Sequence, residues 1–352
     1  MQDSAAHEMV AALRMIIVTQ PNATEEQIEE IVARVEEFGL EAEVNREGMR
    51  VIVGVSGAGE LVRDQRLSAM SGVEAIIPAT TNYKLASFER RGAASKVEIC
   101  GVSIGGDAAV ALICGPCSVE NREQMLSVAR RVKEAGARIL RGGAFKPRTS
   151  PYTFQGLQED GLRLLAEARN ETGLPVITEI MDARDLPIIE RYADCLQIGA
   201  RNMHNFSLLK EVGRSHLPVL IKRGFSATIN ELIMSAEYVL SGGQEHVLLC
   251  ERGIRTFETA SRYTLDLTAV PILKAKTHLP VVVDPAHAVG LRAFIPQMSL
   301  AAIAAGADAI MLEVHESPES AKCDGEQALL PETLGKLFPR LRAVANAIGR
   351  DL

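Results

Sequence analysis

The chain has 352 residues, of which 47% are hydrophobic, and this length suffices for one large domain and a second, small one. The net charge of −7 argues against general affinity for nucleic acid, and no apolar run reaches the roughly 20 residues that a membrane helix needs. Six cysteines scattered over this length do not form a disulfide framework, and the first residues lack a signal-peptide core, so we expect a cytoplasmic protein.

The amino-terminal part predicts a small accessory domain over residues 15–80, preceded by an extension over residues 1–14. Thr24 and Gln27 have the spacing of a capping box at the start of an amphipathic helix. Apolar residues alternate along Met49–Val55, which predicts a strand. The predicted order of elements, βαββαβ, is the ferredoxin-like plan. This domain carries no plausible catalytic cluster.

A polar linker over residues 81–96 leads into a second domain, 97–352, in which short strands rich in Val, Ile and Leu alternate with helix-compatible stretches. The candidate strands are Ala111–Cys114, Ile139–Arg141, Val176–Glu179, Cys195–Ile198, Val219–Lys222, Val247–Cys250, Val281–Asp284 and Ala309–Glu313. This repetition predicts an α/β fold, a (β/α)8 TIM barrel. A doubly wound sheet is the alternative, but no G-x-G-x-x-G motif follows the first strand. A hairpin of Val97–Ile99 and Val102–Ile104 is predicted to close the lower end of the barrel.

The carboxyl ends of barrel strands carry the chemistry of this fold, and here every predicted strand end is polar. Taken singly, each of these residues is explained as a surface charge or an ion pair. Together they favour a shared active site. The loop from Arg141 to Tyr152 is the most polar of them, because it combines three cations and two hydroxyls with glycines that let backbone N–H groups approach an anion.

Two groups of residues at these strand ends differ in their chemistry. The first is a set of six cations, Arg141, Lys146, Arg148, Arg201, Lys222 and Arg252. These would repel one another unless anions lie between them, so we expect one or two substrates with several negative charges. The second group is Cys117, His287, Glu313 and Asp324. Mixed sulfur, nitrogen and oxygen ligands suit a divalent transition ion (Mn, Fe, Co or Zn) better than Mg²⁺ or Ca²⁺, and such an ion can polarise a carbonyl.

Cys117 also admits a second interpretation, because Cys114-Gly-Pro-Cys117 has the spacing of a C-x-x-C redox pair. Cys114 falls within a predicted strand, which favours a thiol buried in the barrel. A further hypothesis is that Cys323, next to Asp324, forms a disulfide with Cys117 when metal is absent.

The strand ends also carry longer motifs. These are Gly115-Pro-Cys-Ser-Val-Glu120, Leu140-Arg-Gly-Gly-Ala-Phe-Lys-Pro-Arg-Thr-Ser-Pro-Tyr152, Gln197-Ile-Gly-Ala-Arg201, Lys222-Arg-Gly-Phe225, Cys250-Glu-Arg-Gly-Ile-Arg255, Asp284-Pro-Ala-His287 and Glu313-Val-His315. With them the chain, from Met15 to about Gly349, resembles 3-deoxy-D-arabino-heptulosonate 7-phosphate (DAHP) synthase of the shikimate pathway, in the form with an N-terminal ferredoxin-like regulatory domain. The resemblance implies a homotetramer that condenses phosphoenolpyruvate (PEP) with erythrose 4-phosphate and is inhibited by an aromatic amino acid such as Tyr or Phe.

The resemblance also implies a role for each matching residue. The PEP carboxylate would be held by Arg141, Lys146 and Lys222. The PEP phosphate would be held by Arg201 and Arg252, with Glu179 positioning nearby water. Erythrose 4-phosphate would face Arg148, Thr149 and Ser150. The metal ligands would be Cys117, His287, Glu313 and Asp324. The catalytic residues would be Lys146, His287 and Cys117.

Two alternatives remain open beside this function. The sister family that makes 3-deoxy-D-manno-octulosonate 8-phosphate (KDO8P) from arabinose 5-phosphate has Asn at the position of Pro147, so Pro147 favours the four-carbon aldose. A non-catalytic, metabolite-binding barrel would require a broken cation or ligand set, and both sets are intact. One departure from the resemblance is Ala286, where Ser is expected; it removes a hydroxyl contact and no metal ligand.

Overall fold

The computed structural model describes residues 13–46, 51–56, 65–78, 82–148 and 150–352, so most of the predicted extension lies outside the described residues. The first domain is an antiparallel sheet in the order β2-β3-β1-β4 with two helices. Its elements are β1 (Leu13–Thr19), α1 (Glu25–Glu37), β2 (Glu41–Asn45), β3 (Ile52–Ser56), α2 (Gln65–Ser68) and β4 (Val73–Pro78). The predicted ferredoxin-like order is confirmed.

Local sequence explains the best-defined helix of this domain. The Thr24 hydroxyl accepts a hydrogen bond from the Gln27 backbone N–H at 3.3 Å, and the Gln27 side chain accepts one from the Thr24 N–H at 2.9 Å, which completes the predicted capping box. Ile28, Ile31 and Val35 form the buried face of α1. The domain therefore has an aliphatic core of its own.

The second domain is a closed barrel of eight parallel strands, each paired with its neighbour in chain order and the last with the first. The strands are β7 (Ala111–Gly115), β8 (Ile139–Arg141), β9 (Val176–Ile180), β10 (Cys195–Ile198), β11 (Val219–Lys222), β12 (Val247–Glu251), β13 (Val281–Val283) and β14 (Ala309–Glu313). The predicted TIM barrel is confirmed, and the predicted bounds of its strands differ from these by one residue at most.

The helices of this domain surround the barrel. They are α3 (Phe88–Arg91), α4 (Arg122–Glu134), α5 (Glu159–Thr172), α6 (Leu186–Ile189), α7 (Phe206–Val212), α8 (Ile229–Ser241), α9 (Ala269–Lys276), α10 (Pro285–Val289), α11 (Ile295–Ala304) and α12 (Pro331–Ala347). No helix among the described residues is both long enough and apolar enough to cross a membrane.

The lower end of the barrel is closed by the predicted hairpin of β5 (Val97–Ile99) and β6 (Val102–Ile104). Its apolar side chains form one buried cluster with residues that begin barrel strands, among them Ala111, Ile139 and Ala309. Because the lower interior is filled with apolar side chains, polar chemistry is confined to the opposite end, where the strands finish.

The predicted linker is held against the barrel. Tyr83, Leu85 and Ala86 are buried in the main core. The carboxylate of Glu237, on α8, accepts hydrogen bonds from the backbone N–H groups of Lys84 (2.7 Å), Leu85 (2.7 Å) and Ala86 (2.9 Å). A buried carboxylate with several N–H partners is a strong anchor. The segment that joins the two domains is therefore fixed to a barrel helix.

A buried histidine provides a second anchor for this segment. His278 Nε2 lies 2.8 Å from the Leu85 carbonyl and Nδ1 lies 2.7 Å from the Ser95 hydroxyl. Since a carbonyl only accepts, Nε2 carries the proton and Nδ1 accepts from Ser95. Arg90, on α3, forms an ion pair with Glu74 of β4 and so links the segment to the first domain.

Candidate active site

A cavity of about 190 Å³ opens at the carboxyl end of the barrel. It gathers predicted site residues from strands that are far apart in the sequence. Those that line it are Arg141, Lys146, Arg148, Glu179, Arg201, Lys222, Arg252, His287 and Asp324. Cys117 and Glu313 are buried next to it, where they contact Lys146 and Arg141 respectively. The structure thus brings both predicted groups of residues to one place.

The four candidate metal ligands come together as one cluster. One ligand atom from each of Cys117, His287, Glu313 and Asp324 lies within 4.8 Å of all the others. Cys117 follows β7, His287 is on α10, Glu313 ends β14, and Asp324 lies in the next loop with a positive φ of 50°. A thiol, an imidazole and two carboxylates at this spacing fit a divalent transition ion.

The orientation of His287 supports this fit. Its Nδ1 lies 2.7 Å from Asp284 Oδ2, so Nδ1 donates to the carboxylate and Nε2 carries a free lone pair. That lone pair faces Glu313 Oε1 at 3.2 Å. Burial lowers the pKa of His287, although the Asp284 and Glu313 carboxylates oppose this, which favours the neutral imidazole. Two acceptor atoms facing each other at this distance are stabilised by a cation between them.

Asp284 connects this cluster with the cation set. Its buried carboxylate also accepts the His287 backbone N–H at 3.0 Å and the Lys222 ammonium at 2.5 Å. Burial opposes ionisation, but the interactions with His287 and Lys222 outweigh it and hold the pKa of Asp284 well below its usual value. Asp284 was not predicted as a site residue, although its position three residues before His287, at a helix N-cap, is a signal in the sequence.

Glu313 makes a second connection between the two groups. Arg141 donates to its Oε1 at 2.7 Å, and the side chain of Gln327 donates to its Oε2 at 2.5 Å. Burial raises the pKa of Glu313, but the interactions with His287 and Arg141 have the larger combined effect and lower it. Arg141 therefore belongs to both groups, a contact that the sequence analysis did not predict, and Gln327 was missed altogether.

The Cys117 thiol, one of the four candidate ligands, contacts a cation that lines the cavity. Lys146 Nζ lies 3.1 Å from its Sγ and 3.0 Å from its carbonyl oxygen. Cys323 Sγ lies 3.3 Å away, and the hydrogen bond between the two thiols, together with burial, raises the pKa of Cys117 well above its usual value. All six cysteines are free. The thiol in contact with Cys117 is therefore that of Cys323. Cys114 is buried in β7, where burial raises its pKa to about 12.

Arg252, which also lines the cavity, carries a charge that its neighbours compensate only in part. Arg252 is buried, and burial lowers its pKa. Its Nη2 lies 3.4 Å from the His287 carbonyl, while Nη1 has no hydrogen-bond partner among the described residues. A buried, unpartnered N–H next to a cavity fits an anionic ligand. Arg201 lines the same cavity.

Glu179 enters the cavity only because residue 199 is a glycine. A Cβ atom at Gly199 would lie 1.9 Å from Glu179 Oε1. Gln197, which also lines the cavity and was not predicted, lies 3.5 Å from the same carboxylate. The motif after β10 therefore provides Arg201 and also makes room for Glu179.

The loop after β8 matches the prediction in part. Arg148 Nη1 lies 2.6 Å from Cys323 Sγ, and its Nε donates to the Thr153 hydroxyl at 3.1 Å. Thr153 lines the cavity, whereas Ser150 contributes its carbonyl to a hydrogen bond with the Thr153 hydroxyl and is not among the described lining residues. Thr149 lies outside the described residues. The sequence analysis missed Thr153, Arg262 and Phe225, which also line the cavity.

Comparisons with known proteins agree with this architecture. The sequence model of the DAHP synthetase I family matches residues 79–348, and that of the DAHP synthase ferredoxin-like domain matches residues 15–81. A phospho-2-dehydro-3-deoxyheptonate aldolase of Thermotoga maritima is 44% identical over 335 residues, 95% of this chain and 99% of that protein. A 2-dehydro-3-deoxyphosphooctonate aldolase of Geobacter sulfurreducens is 32% identical over 267 residues, 71% of this chain and 97% of that protein.

Solved structures give the same result. The crystal structure of the Thermotoga maritima DAHP synthase matches with a TM-score of 0.77 and 43% identity, covering 96% of this chain and 99% of that one. A truncated form of that enzyme matches with a TM-score of 0.71 and 43% identity, covering 76% of this chain and 98% of that one. The chain therefore belongs to the DAHP synthetase I family and is a homologue of DAHP synthase, a carbon–carbon bond-forming enzyme of the transferase class.

Proposed function

We propose that this protein condenses PEP with D-erythrose 4-phosphate and water to give DAHP and phosphate, with a divalent metal ion held by Cys117, His287, Glu313 and Asp324. The observation that carries the proposal is the contact between a four-ligand cluster and a cation-lined cavity at the top of one barrel. Family membership supports the reaction type.

The cations are proposed to bind the two acidic ends of PEP. Arg252, with its unpartnered buried N–H, and Arg201 are suited to a phosphate. Arg141, Lys146 and Lys222 lie nearer the ligand cluster and are proposed to hold the carboxylate, which places C3 of PEP towards the cluster. Arg148, Thr149 and Ser150 remain the proposed contacts of erythrose 4-phosphate, and the lining residue Thr153 joins them.

The metal ion, when bound, would polarise the aldehyde carbonyl of erythrose 4-phosphate. We propose that PEP C3 attacks this carbonyl and that water, positioned by Glu179, adds to C2. The resulting hemiketal phosphate then releases phosphate by C–O cleavage. The surrounding ammonium and guanidinium groups stabilise the negative charge that shifts between carboxylate and phosphate. Lys146 Nζ, 3.1 Å from the Cys117 sulfur, is placed to orient PEP against the ligand cluster.

The decisive experiment measures phosphate release from PEP by the metal-loaded protein, with erythrose 4-phosphate or arabinose 5-phosphate, each with and without a chelator. We expect turnover with the four-carbon sugar and its loss on chelation. Turnover that survives complete metal removal would contradict the proposed role of the cluster. Absence of turnover with both sugars would revive the metabolite-binding barrel.

One specific observation keeps the KDO8P synthase reaction as the second candidate. Several relatives that match about 70% of this chain at 29–32% identity are 2-dehydro-3-deoxyphosphooctonate aldolases. Against it, Pro147 lines the cavity beside Arg148, and the Thermotoga maritima relative, which spans both domains, is a phospho-2-dehydro-3-deoxyheptonate aldolase. A preference for arabinose 5-phosphate in the same assay would establish this alternative.

The ferredoxin-like domain is proposed to mediate inhibition by an aromatic amino acid such as Tyr or Phe. Support comes from its own hydrophobic core and from its match to the DAHP synthase ferredoxin-like domain. A homotetrameric assembly, which the family resemblance implies, and a cytoplasmic location, which the sequence predicts, remain predictions.

A further inference from the structure

A stacked pair of aromatic rings lies at the active-site cavity, and one of them, Phe225, lines it. Phe225 follows β11 and Tyr263 lies in the loop after β12. Their ring centroids are 5.2 Å apart, with planes only 6° from parallel. Neither ring belongs to the predicted cation or ligand sets, and neither has a role in the chemistry proposed above.

Guanidinium groups surround this ring pair. The distance from the guanidinium carbon to the Phe225 centroid is 5.3 Å for Arg201, 4.9 Å for Arg252 and 5.2 Å for Arg255. The distance to the Tyr263 centroid is 4.5 Å for Arg252 and 5.9 Å for Arg262. Arg252 thus contacts both rings. The two arginines proposed to hold the PEP phosphate therefore both lie over the same Phe225 ring.

An aromatic ring solves two problems for a cluster of arginines. Its electron-rich face attracts each cation and so offsets part of the repulsion among them. It also contacts the flat face of a guanidinium and leaves the N–H edge free for hydrogen bonds in the guanidinium plane. Arg252 is consistent with this arrangement, because its guanidinium lies over both rings and its buried Nη1 has no partner among the described residues.

The backbone holds the rings in place. The Arg255 N–H donates to the Phe225 carbonyl at 2.6 Å, and the Tyr263 N–H donates to the Ala288 carbonyl at 2.8 Å. Gly253 adopts a φ of +85°, and a Cβ atom there would lie 2.8 Å from the Tyr263 Cβ. The ring pair is therefore a fixed support that is built by two loops and the helix α10.

We propose that Phe225 and Tyr263 are positioning residues whose stacked rings orient Arg201 and Arg252 towards a bound phosphate group. The inference rests on the proposed function in one respect, namely that the phosphate belongs to PEP. Its core, that the rings set the affinity for a phosphate anion, is independent of the second substrate and of the metal ion.

The test is calorimetric titration of the full chain with PEP and, separately, with inorganic phosphate. Phe225→Leu and Tyr263→Leu remove a ring face but keep an apolar side chain. We expect each to weaken the binding of both ligands about tenfold, since a partly desolvated cation–ring contact is worth about 1.4 kcal/mol. Phe225→Tyr and Tyr263→Phe keep the ring and are expected to restore the affinity to within about twofold.

Phe206→Leu is the matched control. Phe206 is stacked on Tyr238 with centroids 4.6 Å apart, on α7 and α8, and neither residue lines the cavity. This variant is expected to lose a stacked pair without a change in phosphate affinity. Melting temperatures of all variants distinguish a loss of positioning from a loss of folded protein, and Tyr263→Leu tests the inference independently should Phe225→Leu fail to fold.

Steady-state kinetics provide a second readout. A positioning role predicts that KM for PEP rises about tenfold in the Leu variants while KM for erythrose 4-phosphate changes little. Wild-type affinity for phosphate in both Leu variants would overturn the inference. Wild-type protein that binds inorganic phosphate but not PEP would contradict the proposed function, and the phosphate affinities of the variants would still decide the role of the rings.

Discussion

At the scale of single residues, Asp284 connects the two halves of the proposed site. Its carboxylate orients the ring of His287, a proposed metal ligand, and forms an ion pair with Lys222 of the proposed PEP site. Such outer carboxylates hold the imidazole in the tautomer that binds metal. One substitution at this position therefore tests both halves of the proposed site.

We expect Asp284→Asn to weaken metal affinity about 10- to 100-fold, because an amide has only one acceptor oxygen and cannot accept from both the backbone N–H and the ring Nδ1–H of His287. Competition with a chelator of known affinity measures this directly, without reference to turnover. Asp182→Asn is the matched control, since Asp182 is half exposed and caps only a short turn over Ala183–Asp185. Equal metal affinity in wild type and Asp284→Asn would show that His287 does not depend on this contact.

Two glycines in the site predict different outcomes on substitution by alanine. At Gly199 the new Cβ meets the carboxylate end of the Glu179 side chain, which can move. Gly199→Ala should therefore lower kcat with little change in melting temperature. At Gly115 the new Cβ would lie 2.0 Å from the Arg141 carbonyl oxygen, which is backbone. Gly115→Ala should lower the melting temperature, and similar melting temperatures for the two variants would contradict this distinction.

The residues that the sequence predicted and those that it missed differ in a physical way. Three of the four candidate ligands, Cys117, His287 and Glu313, were recognisable because they lie at a strand end or within four residues of one, and strand ends meet at one rim of a barrel. The fourth, Asp324, lies in the loop after β14. Thr153, Gln327 and Arg262 reach the site through the conformation of loops. Loop conformation depends on long-range contacts that local pattern does not encode, so these residues could not be identified from the sequence.

At the scale of elements, the structure of the segment between the domains differs from what its sequence predicted. Its polar composition predicted a linker, yet Leu85 and Ala86 are buried and their N–H groups bind Glu237. The barrel strands, by contrast, were predicted to within a residue, because runs of Val, Ile and Leu at regular spacing are a local signal. The segment is attached through Glu237 and His278, each more than 150 residues away, and such distant partners have no local signal.

His278 makes this attachment sensitive to pH. Burial lowers its pKa to about 4, whereas in the unfolded chain it titrates near pH 6.5. Between pH 6.5 and 4 the unfolded state binds a proton at His278 that the folded state does not bind. The free energy of unfolding therefore falls as the pH drops through this interval. The full effect is on the order of 3 kcal/mol.

Urea unfolding at several pH values between 4 and 7 measures this effect. His278→Gln cannot titrate, and its amide can still bond to Leu85 or Ser95. We expect the variant to show a shallower dependence on pH than the wild type over this interval. Parallel curves for the two proteins would rule out His278 as the titrating group.

At the scale of the whole molecule, the position of a truncation decides what it tests. A chain beginning at Asn82 keeps the hydrogen bonds of Glu237, whereas one beginning at Ser87 leaves this buried carboxylate without its backbone partners. An unsatisfied buried charge costs at least about 3 kcal/mol. We expect the chain from Ser87 to melt about 6 °C or more below the chain from Asn82.

The chain from Asn82 is then the proper test of regulation. It should retain synthase activity, because the cavity and the ligand cluster belong to the barrel. If the ferredoxin-like domain mediates inhibition, this chain should no longer respond to Tyr or Phe at concentrations that inhibit the full chain. Undiminished inhibition would place the effector site within the barrel.

The hairpin plug at the lower end of the barrel has a consequence for the order of events in turnover. With that end filled by Val97, Ile99 and their neighbours, every molecule must enter and leave by the same mouth. Lys222 and Arg252 are almost fully buried, whereas Arg148 and Thr153 lie nearer the rim. A ligand seated on the inner cations would be trapped beneath one held by the outer loop. With PEP on the inner cations, as proposed, the closed lower end predicts that PEP binds before the sugar phosphate and that the product leaves the rim before the next PEP enters.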